Sequence, residues 1–307
     1  MKFNAWLQSL LTKDAPKGKS LLVTLLGDAL APLQSDFWLG ELITLAAPFG
    51  LNERLVRTTI FRLTDEGWLE AERDGRRSRY AITRTGLARI AQADHRIYAP
   101  APKDWGGQWT LALPLRGGDG TDRSELRREL EWEGFAALAN GLYVHPNADR
   151  QALRTLIERL DLGDSLLLLS ATDLPGVVGT SLTPLARQAW PLEQIAARYR
   201  AFIADFTALA KNVLPALKLS DEQAFIARTL LIHHFRRASL HDPRLPLAML
   251  DADWAGQQAY ELCRNLYLAL WTASDRCLRA QLELATAPAA TSPEQAVAEL
   301  KRFTATD

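Results

Sequence analysis

The stretch Asn52-Glu53-Arg54-Leu55-Val56-Arg57-Thr58-Thr59-Ile60-Phe61-Arg62-Leu63 decides how this chain folds. At about 100° per residue, Leu55, Val56, Thr59, Ile60 and Leu63 fall on one half of a helix, and Arg54, Arg57, Thr58, Phe61 and Arg62 on the other. The first half is a core stripe. The second carries arginines and a threonine, the side chains that bond phosphates and base edges in a major groove. Phe61 is expected to dock on a neighbouring helix or to touch a thymine methyl group. Asn52 is placed to cap the helix, and Glu53 starts it favourably against the macrodipole.

Upstream, Leu21, Leu22, Leu25, Leu26 and Leu30 give residues 19–30 a helical core stripe, and residues 37–47 read as a second helix. Pro48-Phe49-Gly50-Leu51 follows as a short turn, with Gly50 where a helix end needs positive φ. Helix, short glycine-containing turn, helix is the helix-turn-helix arrangement. Downstream, residues 67–73 lead into Asp74-Gly75, a strong hairpin-turn signal, and residues 76–82 return from it. A hairpin directly after the candidate recognition helix makes a winged helix. Between Asp74 and Asp94 stand five arginines (Arg76, Arg77, Arg79, Arg84, Arg89) and no acid. An arginine face alone also suits a solvated helix; the basic hairpin beside it turns the reading toward double-stranded DNA. The candidate DNA contacts are Arg54, Arg57, Thr58 and Arg62 on the helix, with Arg76, Arg77, Ser78 and Arg79 on the wing.

Beyond residue 97, Tyr98-Ala99-Pro100-Ala101-Pro102 reads as a linker. Strand-like and helix-like runs then alternate: a strand at 109–115, a helix at 122–138, a strand at 141–145, a helix at 149–160 and a buried strand at 165–170 (Ser-Leu-Leu-Leu-Leu-Ser). That order fits a small ferredoxin-like α+β sheet with helices on one face, extra strands being expected around 177–181. After Pro184 only helical spacing continues, at 191–213, 220–240 and 254–284, and the Ala-, Pro- and Thr-rich residues 285–292 read as a mobile or surface segment. The expected class is therefore α+β multidomain: a winged helix-turn-helix over 1–97, a ferredoxin-like middle domain over 98–180, and an all-α C-terminal domain over 181–307.

The whole chain supports this only loosely. Its 307 residues carry 36 Lys plus Arg and 36 Asp plus Glu, and this neutrality excludes a protein that coats any duplex by bulk charge. Cys263 and Cys277 fit neither a compact zinc motif nor a disulfide framework, and are expected as buried free thiols. The apolar start is interrupted early by Lys13, Asp14 and Lys17, and no apolar run reaches membrane-spanning length. A cytoplasmic protein without membrane partners is expected.

Several motifs in order resemble the PaaX repressor family: Leu22-Val23-Thr24-Leu25-Leu26-Gly27-Asp28-Ala29, Arg57-Thr58-Thr59-Ile60-Phe61-Arg62-Leu63, Gly67-Trp68-Leu69 and Gly75-Arg76-Arg77-Ser78. The resemblance runs on through Arg96-Ile97-Tyr98, Trp132-Glu133-Gly134-Phe135 and Gly141-Leu142-Tyr143-Val144-His145-Pro146. It is densest at Leu231-Ile232-His233-His234-Phe235-Arg236-Arg237, Asp242-Pro243-Arg244-Leu245-Pro246 and Asp253-Trp254. One element departs from the family pattern: Trp105-Gly106-Gly107-Gln108-Trp109 lacks the usual acid after its first tryptophan. The resemblance implies a homodimeric repressor of phenylacetate breakdown genes, released from its operator by phenylacetyl-coenzyme A, with no cofactor and no catalytic residue.

An acyl-coenzyme A needs cations for its phosphates and an apolar slot for its acyl group. His233, His234, Arg236 and Arg237 supply the first within one short window, and Trp105 and Trp109 the second. The alternatives are a structural network pairing these arginines with Asp242, Asp251 or Asp253, and core packing of the tryptophans. A metal site at His233, His234 and His241 is disfavoured because adjacent histidines diverge on a helix. Another aromatic acyl-coenzyme A or a free acid is an alternative effector. A metal-dependent nuclease is disfavoured because the first middle-domain strand ends Leu113-Pro114-Leu115-Arg116, with no acid before Asp119. A coenzyme A ester enzyme is weaker still, for no nucleophile motif is present.

Overall fold

The computed structural model describes residues 3–74, 77–102, 105–115, 123–174, 181–213, 219–282 and 292–303. Its contacts divide the chain into two compact units that are not consecutive in sequence. Unit 1 is Met1–Pro100, Tyr199–Leu240 and Gln258–Asp307; unit 2 is Ala101–Arg198 and His241–Gln257. The three successive segments expected from sequence differ from this division, because the C-terminal helices are shared between the units.

Unit 1 opens with α1 (Phe3–Lys13), then α2 (Gly18–Thr24), which widens into a π-helical stretch, Leu25–Leu30. The five expected leucines of this segment are all buried. β1 (Asp36–Trp38), α3 (Leu39–Ala46), a 3-10 turn (Ala47–Phe49) and α4 (Glu53–Asp65) follow. Next come β2 (Leu69–Asp74), β3 (Arg77–Ile82) and α5 (Arg84–Tyr98), and the three strands form an antiparallel sheet in the order β1-β3-β2. Gly50 has φ of 78°, and the Asn52 side chain accepts the Leu55 N–H at 2.9 Å, so the turn and cap before α4 are as expected. The second helix, however, starts at Leu39 and not at Phe37. Phe37 and Trp38 pair with Tyr80 and Arg79 of β3, and the Trp38 N–H donates to the Glu41 carboxylate at 2.8 Å, which fixes the helix start.

Among the described residues, the rest of unit 1 is mainly helical. It takes in α9 (Leu192–Ala208) from Tyr199, α10 (Asp221–Ser239), α11 (Ala255–Gln281) from Gln258, and α12 (Pro293–Glu299). Ser220 and Gln223 form a reciprocal cap at the start of α10, whose side chains are buried almost all round, as a central core helix requires. α1 was not assigned from sequence. Its Trp6 is buried and donates to the Asp205 carbonyl at 3.1 Å. Both cysteines are free, Cys263 buried and Cys277 only half-buried.

Unit 2 runs β4 (Trp109–Pro114), α6 (Arg123–Trp132), β5 (Ala136–Ala139), β6 (Leu142–His145), α7 (Arg150–Leu160), β7 (Leu166–Ala171) and α8 (Leu182–Ala189). The strands make one antiparallel sheet in the order β5-β6-β4-β7. β5 is a correction, since the preceding helix was expected to reach residue 138. That helix stops at Trp132 because Gly134 takes φ of 89° and its carbonyl accepts the Trp190 indole N–H at 2.9 Å. Ala136-Ala137-Leu138-Ala139 then becomes a strand by pairing with β6, tertiary pairing overriding local helix preference.

β7 is a second correction. Leu166 is buried, but Leu167 and Leu169 are 39% and 44% exposed. α6 and α7 pack Leu126, Leu130, Leu153 and Leu156 against one face of the sheet, with Ala112, Tyr143 and Leu166. On the other face Trp109, Ala136 and Val144 meet Ala186, Trp190, Leu245 and Met249, a cover that leaves Leu113, Leu167 and Leu169 open. Residues 177–180, expected to add strands, and the segment 285–291 lie outside the described residues; Ser292 caps α12, a helix the sequence reading did not assign.

Candidate functional site

α4 divides nearly as its periodicity requires. Val56, Thr59, Ile60 and Leu63 are buried, whereas Arg54, Arg57, Thr58, Phe61 and Arg62 face solvent. Leu55 is the exception. Assigned to the core stripe, it is 40% exposed and packs at the edge over Gly18, where an added Cβ would lie 3.0 Å from it. Arg57 pairs with Glu53 one turn earlier at 2.7 Å, and the Thr58 hydroxyl donates to the Arg54 carbonyl at 2.8 Å. Among the described residues no acid holds Arg54 or Arg62. Phe61 does not dock on a neighbouring helix: it is 74% exposed.

The ribbon beside α4 is built by six cross-strand pairs between β2 and β3. Ser78 is half-buried opposite Arg73, and exposed Arg79 is held by an ion pair to Asp36 of β1 with its guanidinium 5.8 Å from the Trp38 ring. The local run of arginines lacks acids in sequence, but the sheet supplies one from β1. Arg89 donates to the Glu66 carbonyl at 3.1 Å and lies over Trp68. Arg76 lies outside the described residues, as does the side chain of Arg77.

The histidines and arginines of α10 have a different surrounding. The Arg236 guanidinium donates to the Ser20 carbonyl and to the Thr24 hydroxyl, both at 3.0 Å. The same hydroxyl lies 3.2 Å from His233 Nδ1. Burial, with the neighbouring His234, Arg236 and Arg237, pushes the His233 pKa down to about 3. Burial pushes that of His234 down to about 4, Asp14 opposing the shift. Both rings are thus neutral near pH 7. Arg237 is paired with Asp14 rather than with the acids at 242–253 considered from sequence; of those, Asp251 takes Arg187. Trp105 and Trp109 belong to unit 2, edge to face at 5.1 Å, with Trp109 buried in the sheet core. The six candidate effector residues are therefore divided between the units, four in unit 1 and two in unit 2. Asp119 is not among the described residues, and among those that are, no three His, Cys, Asp or Glu side chains gather as a metal site. No described helix is long and apolar enough to cross a membrane.

One cluster was missed entirely. Asp28, in the π-helical stretch after α2, accepts from Arg302 at 3.0 Å and lies 3.1 Å from Arg228, with the Tyr98 and Tyr267 hydroxyls donating at 2.7 and 2.8 Å. Arg302 also donates to Asp94 at 3.0 Å and to the Gly27 carbonyl at 2.9 Å. Burial opposes the Asp28 charge, yet Arg228 and Arg302 with the two tyrosines hold its carboxyl below the usual range. The signal in the sequence was a single acid inside the leucine stripe.

Three family descriptions match the chain in order: PaaX-like protein over residues 17–86, PaaX protein central Cas2-like domain over 102–181, and PaaX-like protein C-terminal domain over 190–280. The chain is 35% identical over 267 residues to the Transcriptional repressor PaaX of Escherichia coli (strain K12), a match covering 87% of this chain and 84% of that protein. Uncharacterized protein Rv0674 from Mycobacterium tuberculosis, a solved structure, shares the fold at a TM-score of 0.50, with 24% identity over 85% of this chain and 96% of its own. The order and extent of these matches place the chain in the PaaX family.

Proposed function

We propose that this chain is a cytoplasmic transcriptional repressor of phenylacetate catabolism genes, which binds operator DNA as a homodimer and is released by phenylacetyl-coenzyme A. The observation that carries the reading is the solvent-facing set Arg54, Arg57, Thr58 and Arg62 on α4, beside the β2–β3 ribbon, in a chain 35% identical to a protein named as a transcriptional repressor. In this reading α3 and α4 form a helix-turn-helix, α4 enters the major groove and the ribbon is the wing. The middle segment is ferredoxin-like, a reading supported by its β-α-β-β-α-β connectivity and its strand order. The remaining helices sense the effector.

The cations of α10 already have partners, so acyl-coenzyme A binding there exchanges contacts instead of filling an open site. Arg237, the most exposed of the four, would trade Asp14 for a phosphate. A gel shift on a duplex from the gene's own upstream region tests the reading. The expected result is a discrete complex that phenylacetyl-coenzyme A dissolves. Absence of a complex overturns the repressor reading, and release by phenylacetate at the same concentration replaces the thioester with the free acid as effector.

A further inference from the structure

The centre of the α4 outer face is apolar. At about 100° per residue, Phe61 lies about 20° from Arg54, 40° from Arg57 and 60° from Thr58 around the helix axis. Its ring is 74% exposed, although Ile60, beside it in sequence, is fully buried. No other ring among the described residues stacks on it. A second copy of this face would bring Arg54, Arg57 and Arg62 against their own equivalents, so like charge opposes self-docking through Phe61. The occupant this face fits is an anion that also presents an apolar group. In the major groove of a polyanionic duplex the only such group is the C5-methyl of thymine.

We propose that Phe61 is a specificity residue, whose ring packs on a thymine methyl in each half-site while the flanking arginines hold phosphates and base edges. The proposal rests on the reading of α4 as the DNA-contacting helix and adds which base the helix selects. It requires no rearrangement of the protein, because the side chain already stands clear.

The test begins with full-length protein selecting duplexes from a random-sequence library. Each thymine of the selected site is then replaced singly by deoxyuridine, which pairs identically but lacks the methyl. At one thymine per half-site the wild-type protein should lose about fourfold in affinity, the weight of one buried methyl. Phe61→Ala should bind the parent site more weakly and be indifferent to that replacement, while Phe61→Leu retains part of the response. Thermal unfolding of both variants should match wild type, as the ring is not part of the core. Equal uracil sensitivity of wild type and Phe61→Ala at every thymine overturns the proposal while leaving DNA binding intact. Failure to enrich any sequence overturns the DNA reading, and this proposal with it. A Phe61→Ala protein that loses self-association but keeps its affinity per half-site assigns the ring to a protein contact and also overturns it.

Discussion

Helices α4 and α10 each carry arginines within a few turns, and the fold treats them in opposite ways. On α4 a stripe of four buried side chains faces the core, and the arginines stand in water. α10 is buried nearly all round, and its arginines reach acceptors on other elements of unit 1: Arg228 to Asp28, Arg236 to the Ser20 carbonyl, Arg237 to Asp14. Arginine content therefore says little about role. What separates the two helices is how much of the circumference is apolar, because a cation that leaves water must bring a partner with it. A face with unpartnered guanidiniums remains available to phosphates.

The sharpest break of this contrast is at Asp28. Asp28→Ala leaves Arg228 and Arg302 buried together without their shared carboxylate. Removing one partner of a buried charge cluster costs about 3–5 kcal/mol. Urea unfolding should register a loss of that order, whereas Arg62→Ala on α4 should stay within about 0.5 kcal/mol of wild type. A loss below about 1 kcal/mol for Asp28→Ala would remove the distinction between the helices.

The next effect is the pH dependence that the α10 histidines contribute. His233 and His234 titrate at about 3 and about 4 in the folded protein, below the ordinary 6.5. Near neutral pH both states hold these rings uncharged. As pH falls below 6.5 the unfolded chain takes up protons that the folded one refuses, so stability present above that pH is lost toward acid. Each ring contributes a slope of about 1.4 kcal/mol per pH unit within its window. His233→Gln should flatten the decline between pH 6 and pH 4, as read by midpoints of urea unfolding across that range. An unchanged slope would mean that His233 is charged in place.

What the sequence disclosed follows the same division between local and distant causes. The α4 stripe, its Asn52 cap, Gly50 and the β2–β3 hairpin are settled by neighbours a few residues apart, and these were legible. Phe37-Trp38 and Ala136–Ala139 are strands because Tyr80 and Tyr143 lie opposite them, and their own composition reads as helix. Among the candidate site residues, the exposure of those on α4 was legible and partnership was not. Asp14 stands 223 residues from Arg237, and Asp28 stands 274 from Arg302. No periodicity reports an ion pair over such distances. Asp36 reaches Arg79 only because β1 joins the sheet.

The smallest effects test whether pairing grades the arginines within α4 itself. Arg62 meets no acid among the described residues, whereas Arg57 shares its charge with Glu53. Arg62→Ala should cost operator binding about 1–3 kcal/mol if it touches a base, or lower the salt slope by about 1 if it touches a phosphate. Arg57→Ala should cost less, because breaking its bond to Glu53 offsets part of what DNA returns. Glu53→Gln isolates that offset. Without the carboxylate Arg57 is free and the helix start is less negative, so affinity should rise by a few tenths of a kcal/mol at low salt and converge with wild type as salt screens the pair. Since Glu53 also favours the first turn of α4 against the helix dipole, helix stability should fall slightly in the same variant. Opposite signs for binding and stability are what an exposed pair at a binding surface produces.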